Sequence, residues 1–153
     1  MAKKPTPADA EVILKLYDLR REAEMRKARS WFLGFWPTSA DEIMKIGQAM
    51  GTQENNWIRQ VSGYWEMAAS MVLHGAVNQD LFMETSFCGE MFFIFAKLNP
   101  FLKELRVKMD APKMWGNVET LIKSSKKGRE TLALFEGRVA ARAKTMASTA
   151  KAS

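Results

Sequence analysis

Apolar residues recur along most of the chain at the spacing of α-helices. No stretch alternates apolar and polar residues over the length of a strand, and no Asn-Gly or Asp-Gly turn joins two β-branched runs. The pattern therefore predicts an all-α protein. Residues 53–74 have an apolar side with Trp57, Val61, Tyr64, Trp65, Ala68, Met71 and Val72, and a polar side with Asn55, Arg59, Ser62, Glu66 and Ser70.

Capping residues and helix breakers divide this pattern into segments. Thr6-Pro7 predicts the start of a first helix that runs to about residue 33, with a solvated second half from Arg20 to Arg29. Ser39 and Gly51-Thr52 predict the next two starts, and Asn99-Pro100 predicts the end of a fourth helix that covers about residues 78–98.

The segments together predict a single-domain compact bundle of six or seven helices over residues 7–144. A flexible N-terminus of residues 1–6 and a frayed C-terminal tail of residues 145–153 flank this bundle. The length of 153 residues fits one domain with a substantial core.

Composition excludes several kinds of site. One cysteine and one histidine cannot form an internal disulfide or a four-ligand zinc site, and we expect no metal and no cofactor. The N-terminal residues lack the apolar segment of a secretory signal, and no run of about 18 apolar residues follows. We therefore expect a cytoplasmic protein without a membrane span.

The net charge of +6 is concentrated near the C-terminal end, where residues 103–153 contain 12 basic and 5 acidic residues. No aromatic residues alternate with the basic cluster in a way that would stack bases, so nucleic acid is not the expected partner. Ordinary solvated helix faces are the stronger explanation of such a cluster.

The stretch SFCGEMFFIFAKL, residues 86–98, contains the two side chains that are the best candidates for a chemical role. Cys88 and Glu90 are two positions apart and point about 200° away from each other on a helix, so they cannot act on one atom together. Cys88 is interpreted as a core residue. Glu90 needs a partner if it is buried, and Arg20 or Arg59 are the candidates.

The chain also resembles a known kind of protein. The residues that carry the resemblance are KLYDLRREA, WPTSADE, YWEMAASMVLHGAVNQDLF and GEMFFIFAKLNPFLKELR. They resemble uncharacterised short helical bacterial proteins of the domain-of-unknown-function kind. The resemblance implies a small cytoplasmic helical protein and brings no catalytic residue with it.

Two functions remain open from the sequence, and enzymatic activity is the less favoured class. The first is a non-enzymatic interaction module that binds a protein partner, or a second copy of itself, through an aromatic surface. The residues of that surface are Trp31, Phe32, Phe35 and Trp36.

The alternative function is a carrier of a small apolar ligand. Its pocket would lie between the third and fourth predicted helices, with Glu90 as the polar anchor. The residues that line this predicted pocket are Trp65, Met71, Phe87 and Phe92.

Overall fold

The computed structural model describes residues 3–153, and within them the chain is all-helical. Eight helices are present over this range, one more than the upper estimate from the sequence. They are α1 (Pro7–Leu19), α2 (Ala23–Gly34), α3 (Ala40–Gln48), α4 (Gln53–Leu73), α5 (Gln79–Phe82), α6 (Thr85–Lys108), α7 (Gly116–Lys123) and α8 (Lys126–Ala152). Residues 1 and 2 of the predicted flexible N-terminus lie outside the described residues.

The predicted helix starts are confirmed by their capping contacts. The Thr6 hydroxyl accepts a hydrogen bond from the Asp9 backbone N–H, and the Asp9 carboxylate accepts one from the Thr6 N–H in return. The Ser39 and Thr52 hydroxyls cap α3 and α4 by accepting from the backbone N–H groups of Glu42 and Asn55, without the return hydrogen bond. These starts follow from short-range chemistry, because a cap and the N–H that it accepts from are three residues apart.

Two predicted helix boundaries were wrong. The expected first helix is divided after Leu19, because Arg20 turns inward and the Glu22 carboxylate caps a new helix by accepting from the Met25 N–H. The expected end at Asn99-Pro100 is absent, and α6 continues through Pro100 to Lys108. Burial of Leu102 and Leu105 beyond the proline favours continuation and offsets the missing hydrogen bond.

Helix α6 is the central helix of the bundle. It packs against α3, α7 and α8, while α4 packs against α2, α3 and α7. Its first four turns bury side chains on nearly every side, as their apolar composition predicts. The buried residues of α6 include Phe87, Cys88, Met91, Phe92, Ile94, Phe95, Leu98, Leu102 and Leu105.

Helix α8 differs between its two halves. Its first half packs on α6 and α7, and Gly128 lies so close to α7 that a Cβ atom there would collide with the Ile122 carbonyl oxygen. From residue 140 onward every residue is exposed. Residues 145–152, for which the sequence predicts a frayed tail, form the end of this exposed helix. Within residues 3–153, no helix combines the length and the apolar character needed to cross a membrane.

Candidate functional sites

Glu90 forms a partly buried polar cluster between α2, α4 and α6. Its Oε2 atom is 2.8 Å from Nε of Arg29, and its Oε1 atom accepts a hydrogen bond of 3.2 Å from the Trp65 indole N–H. The Glu90 side chain is 7% exposed and that of Arg29 is 26% exposed. Both carboxylate oxygens are thus occupied by donors from other helices, which is how a buried carboxylate is stabilised.

The predicted partners of Glu90 were wrong. Arg20 donates instead to the backbone carbonyl of Phe87 at 3.1 Å, and its guanidinium lies over the Tyr17, Trp65 and Phe87 rings. Arg59 is exposed and is not among the donors to Glu90. The segment from Arg20 to Arg29 is consequently not solvated throughout, because Arg20 is only 5% exposed.

The predicted ligand-binding residues do not meet in one pocket around Glu90. Trp65 and Phe87 pack edge to face with ring centroids 5.9 Å apart, close to the carboxylate. Phe92 lies elsewhere, stacked on Phe135 of α8 at 5.7 Å, and Met71 is half-buried at the edge of the core. These contacts give Glu90 a structural role, since each of its oxygens already accepts from a donor on another helix.

Cys88 is fully buried, and burial raises the pKa of its thiol to about 12. A thiol must lose its proton to act as a nucleophile, so this environment suppresses its reactivity. The interpretation of Cys88 as a core residue agrees with its placement.

Lys97 is a second buried polar group on α6, and it is not among the site residues predicted from the sequence. Its ammonium donates to the carbonyls of Phe32, Leu33 and Phe35 at 2.6, 3.2 and 2.7 Å, which lie at the C-terminal end of α2. The side chain is 3% exposed, and burial lowers its pKa to about 8. The sequence does contain a signal for burial of this lysine, though not for its partners, because Lys97 interrupts a run of apolar residues seven positions after Glu90.

The Lys97 ammonium is also enclosed by aromatic faces. It lies 5.0 Å from the ring centroid of Trp36 and 4.9 Å from that of Phe93. Aromatic faces are attractive to cations, and the carbonyl end of a helix is as well. The lysine therefore caps α2 from a neighbouring helix.

Part of the predicted aromatic surface is buried inside the helical bundle. Phe32 is completely buried, so it cannot contact a partner. Trp31 and Phe35 stack with ring centroids 5.1 Å apart and are half-buried, while Trp36 packs edge to face on Phe93. Of the four residues, Trp36 is the one that borders an open apolar groove.

We call this feature the Trp36 groove. It has a volume of about 480 Å³ and runs between the loop after α2, the middle of α6 and α8. Its lining is predominantly apolar. The residues that line it are Trp36, Pro37, Ala96, Lys97, Asn99, Pro100, Phe101, Glu136, Val139, Ala140 and Ala143.

A second apolar recess, the Trp115 cavity, lies on the opposite side of α6 and has a volume of about 250 Å³. Helices α3, α4 and α6 and the segment before α7 form its walls. The residues that line it are Ile43, Gly47, Ile58, Arg59, Ser62, Gly63, Glu66, Leu98, Leu102, Leu105, Met109, Met114 and Trp115.

Trp115 is held at the wall of this cavity in a strained backbone conformation. Its φ of 55° lies in the left-handed region, which is unfavourable for a bulky aromatic residue by about 1–3 kcal/mol. The following helix lacks a side-chain cap from Trp115 itself. Instead, Glu66 of α4 accepts from the backbone N–H groups of Asn117 and Val118, at 3.3 and 2.9 Å.

Two residues of α4 that the pattern places on its polar side are engaged in contacts. Glu66 is half-buried by its contact with α7, and Asn55 is fully buried. The Asn55 amide donates to the carbonyls of Ile46 and Gly47 at 2.9 Å each, at the end of α3. The polar side of α4 is therefore not simply solvent-exposed, because the ends of α3 and α7 need hydrogen-bond partners and these side chains supply them.

The fold and these sites define an all-helical domain that carries an apolar groove and an apolar cavity on two sides of its central helix. The chain matches the family model of the Domain of unknown function (DUF4760) over residues 5–125, and it belongs to that family. The resemblance to domain-of-unknown-function proteins is thereby confirmed. No curated protein and no solved structure matches the chain.

Proposed function

We propose that this protein is a non-enzymatic interaction module that binds an acidic amphipathic helix of a protein partner in the Trp36 groove. The observation that carries the proposal is the groove itself, because a half-buried tryptophan borders a lining that is predominantly apolar. Partner helices commonly bind in such grooves through apolar residues on one face.

The exposed half of α8 extends the apolar lining beyond the bundle. Val139 and Ala143 line the groove, and Met146 follows them at helical spacing on the same side of α8. Met146 is 38% exposed, so a partner that binds in the groove would gain contact area along this side. Burial of such apolar surface is the main source of binding free energy.

Charge favours an acidic partner over a second copy. Glu136 lines the groove and accepts a hydrogen bond from the Asn99 amide at 3.0 Å. Beyond it, residues 137–153 contain four basic residues, Arg138, Arg142, Lys144 and Lys151, and no acidic one. A second copy of α8 would bring the same positive charges to the groove, whereas an acidic helix would be attracted to them. This asymmetry supports a heterologous partner.

The test uses a designed acidic amphipathic helical peptide and a basic twin with the same apolar face. Fluorescence anisotropy measures their binding to the wild type and to Ala143→Glu, which places a negative charge in the groove. We expect the acidic peptide to bind and Ala143→Glu to weaken that binding by about tenfold or more, through repulsion and lost apolar contact.

The matched control is Ala133→Glu, which adds the same charge at an exposed position of α8 outside the groove. This variant should bind the acidic peptide almost as the wild type does. Equal binding of the two peptides, or equal effects of the two substitutions, would contradict the proposal. Light scattering that shows a stable dimer, lost in Ala143→Glu, would assign the groove to a second copy instead.

A further inference from the structure

We propose that the Trp115 cavity is a binding site for a small anionic amphiphile, a molecule with an apolar chain or ring and a carboxylate head. The apolar part would occupy the space between α3, α4 and α6, and the head would meet Arg59 at the mouth. This site is separate from the Trp36 groove, because Leu98 and Leu102 face the cavity whereas Pro100 and Phe101 face the groove.

The size of the cavity sets the size of the ligand. A dry protein cavity of about 150 Å³ is large enough for benzene. The volume of about 250 Å³ therefore accommodates a somewhat larger body, such as a chain of about eight carbons or a substituted single ring. The walls are supplied mainly by Ile43, Ile58, Leu98 and Leu105, so a polar body would lose hydrogen bonds on entry.

The charges at the cavity favour an anionic head. Arg59 lines the cavity and is exposed, and within residues 3–153 its guanidinium makes no ion pair or hydrogen bond. Glu66, the acidic residue at the same site, is already bound to the N-terminal amides of α7. Glu66 remains an anion, but its oxygens are directed at α7, so Arg59 is the charged group of the lining that has a donor available for a ligand. A guanidinium binds carboxylates well through two parallel hydrogen bonds.

The strained backbone at one wall of the cavity also supports a ligand site. Trp115 keeps its indole buried at the cavity wall in spite of the left-handed backbone, and Glu66 holds the following helix in place. Strained residues of this kind persist where the surroundings impose them, often at ligand sites. Two methionines, Met109 and Met114, complete the lining with flexible side chains that can adjust to a ligand.

Gly47 permits this arrangement on the α3 side. A Cβ atom at position 47 would lie 3.0 Å from the terminal methyl carbon of Met109, so a larger residue would displace that methionine. The glycine consequently leaves room for the methionine at the edge of the cavity.

The experiment compares octanoate with octan-1-ol, which has the same chain and no charge, by isothermal titration calorimetry. The wild type should bind both and prefer octanoate. Arg59→Gln should weaken octanoate binding by about tenfold and leave octan-1-ol binding nearly unchanged, because a hydrogen-bonded charge contact is lost. Arg26→Gln, at an exposed arginine on α2 outside the cavity, is the matched control.

Ser62→Phe tests whether the ligand enters this cavity. Ser62 lies at its lining and is half-exposed, so a phenyl ring there should obstruct the space without crowding the buried core. Binding of both ligands should be lost while the circular dichroism spectrum and the unfolding midpoint stay close to those of the wild type. If Ser62→Phe unfolds, Gly63→Phe, which introduces its side chain at an open position beside the cavity, replaces it.

The proposal is overturned if neither ligand binds the wild type, if the folded obstruction variant binds both ligands as the wild type does, or if Arg59→Gln and Arg26→Gln affect octanoate equally. None of these outcomes bears on peptide binding in the Trp36 groove, because the substituted residues lie outside that groove.

Discussion

Two buried charged side chains of α6 contact α2, and their charges are stabilised in different ways. Glu90 meets a full opposite charge, the Arg29 guanidinium, together with an indole N–H. Lys97, seven residues later, meets no carboxylate among residues 3–153 and is held by three backbone carbonyls and two aromatic faces.

Both side chains are buried, and the difference lies in how much hydration the partners of each one keep. Arg29 keeps 26% of its side chain exposed, so the Glu90 ion pair retains some hydration and is screened by solvent. The Lys97 ammonium has exchanged nearly all of its hydration for fixed dipoles. A buried cation without an anion is therefore tolerable where a helix end supplies several carbonyls, and its protonation becomes sensitive to pH.

The largest expected effect comes from Lys97→Met, which keeps a side chain of similar length and removes the donors. Three carbonyls at the end of α2 would lose their common partner. We expect a loss of about 3 kcal/mol in the free energy of unfolding, measured by urea denaturation at pH 7. Lys103→Met, at an exposed lysine of the same helix, should change it by less than ~0.5 kcal/mol. Equal effects of the two substitutions would refute the assignment of Lys97 as a cap.

The next effect is the pH dependence that Lys97 confers on stability. The unfolded chain keeps this proton up to the ordinary lysine pKa of 10.5, whereas the folded chain releases it near pH 8. Raising the pH between these values therefore favours the folded state. Relative to Lys97→Met, the wild type should gain about 2 kcal/mol between pH 8 and 9.5.

The comparison with Lys97→Met is needed because other groups titrate in the same range. Burial raises the pKa values of Cys88 and Tyr64 to about 12, so their ionisation in the unfolded chain opposes the lysine effect at high pH. Both residues are present in both proteins, and their contributions cancel in the difference. A difference that stays constant or shrinks over this range would contradict a lowered lysine pKa.

The smallest of the three effects is expected for Glu90→Gln. The amide can still accept from Trp65, but it no longer neutralises Arg29. Because Arg29 can turn to solvent, we expect a loss of only about 1–2 kcal/mol in unfolding free energy. Glu104→Gln removes a carboxylate from an exposed pair with Lys108 on the same helix and should cost less than ~0.5 kcal/mol. If Glu90→Gln lost more unfolding free energy than Lys97→Met, the carboxylate and not the lysine would be the more important buried charge of α6.

Local chemistry made much of the fold predictable from the sequence. The helix starts at Thr6, Ser39 and Thr52 depend on hydrogen bonds between residues three positions apart in the sequence. The amphipathic pattern of α4 identified most of its buried side. The interruption at Arg20 and the continuation through Pro100 were missed, because packing partners distant in the chain decide both.

The polar contacts were less predictable for the same reason. Glu90 was recognised as a residue that needs a partner, but its partner is 61 residues away in sequence and no local pattern identifies it. Lys97 is bound by backbone carbonyls, which every residue possesses, so the side-chain sequence contains no specific signal for that contact. The Trp115 cavity depends on four chain segments and on a backbone angle that is not expected of tryptophan.

The close approach at Gly128 has a consequence for other chains of the family. The family match ends at residue 125, immediately before α8 begins at Lys126. Because a larger residue at 128 would push α8 away from Ile122, a glycine three positions after the Ser125 cap would serve as a sequence marker in a relative with an added C-terminal helix. It would indicate that the added helix folds back against α7 rather than extending away from the domain.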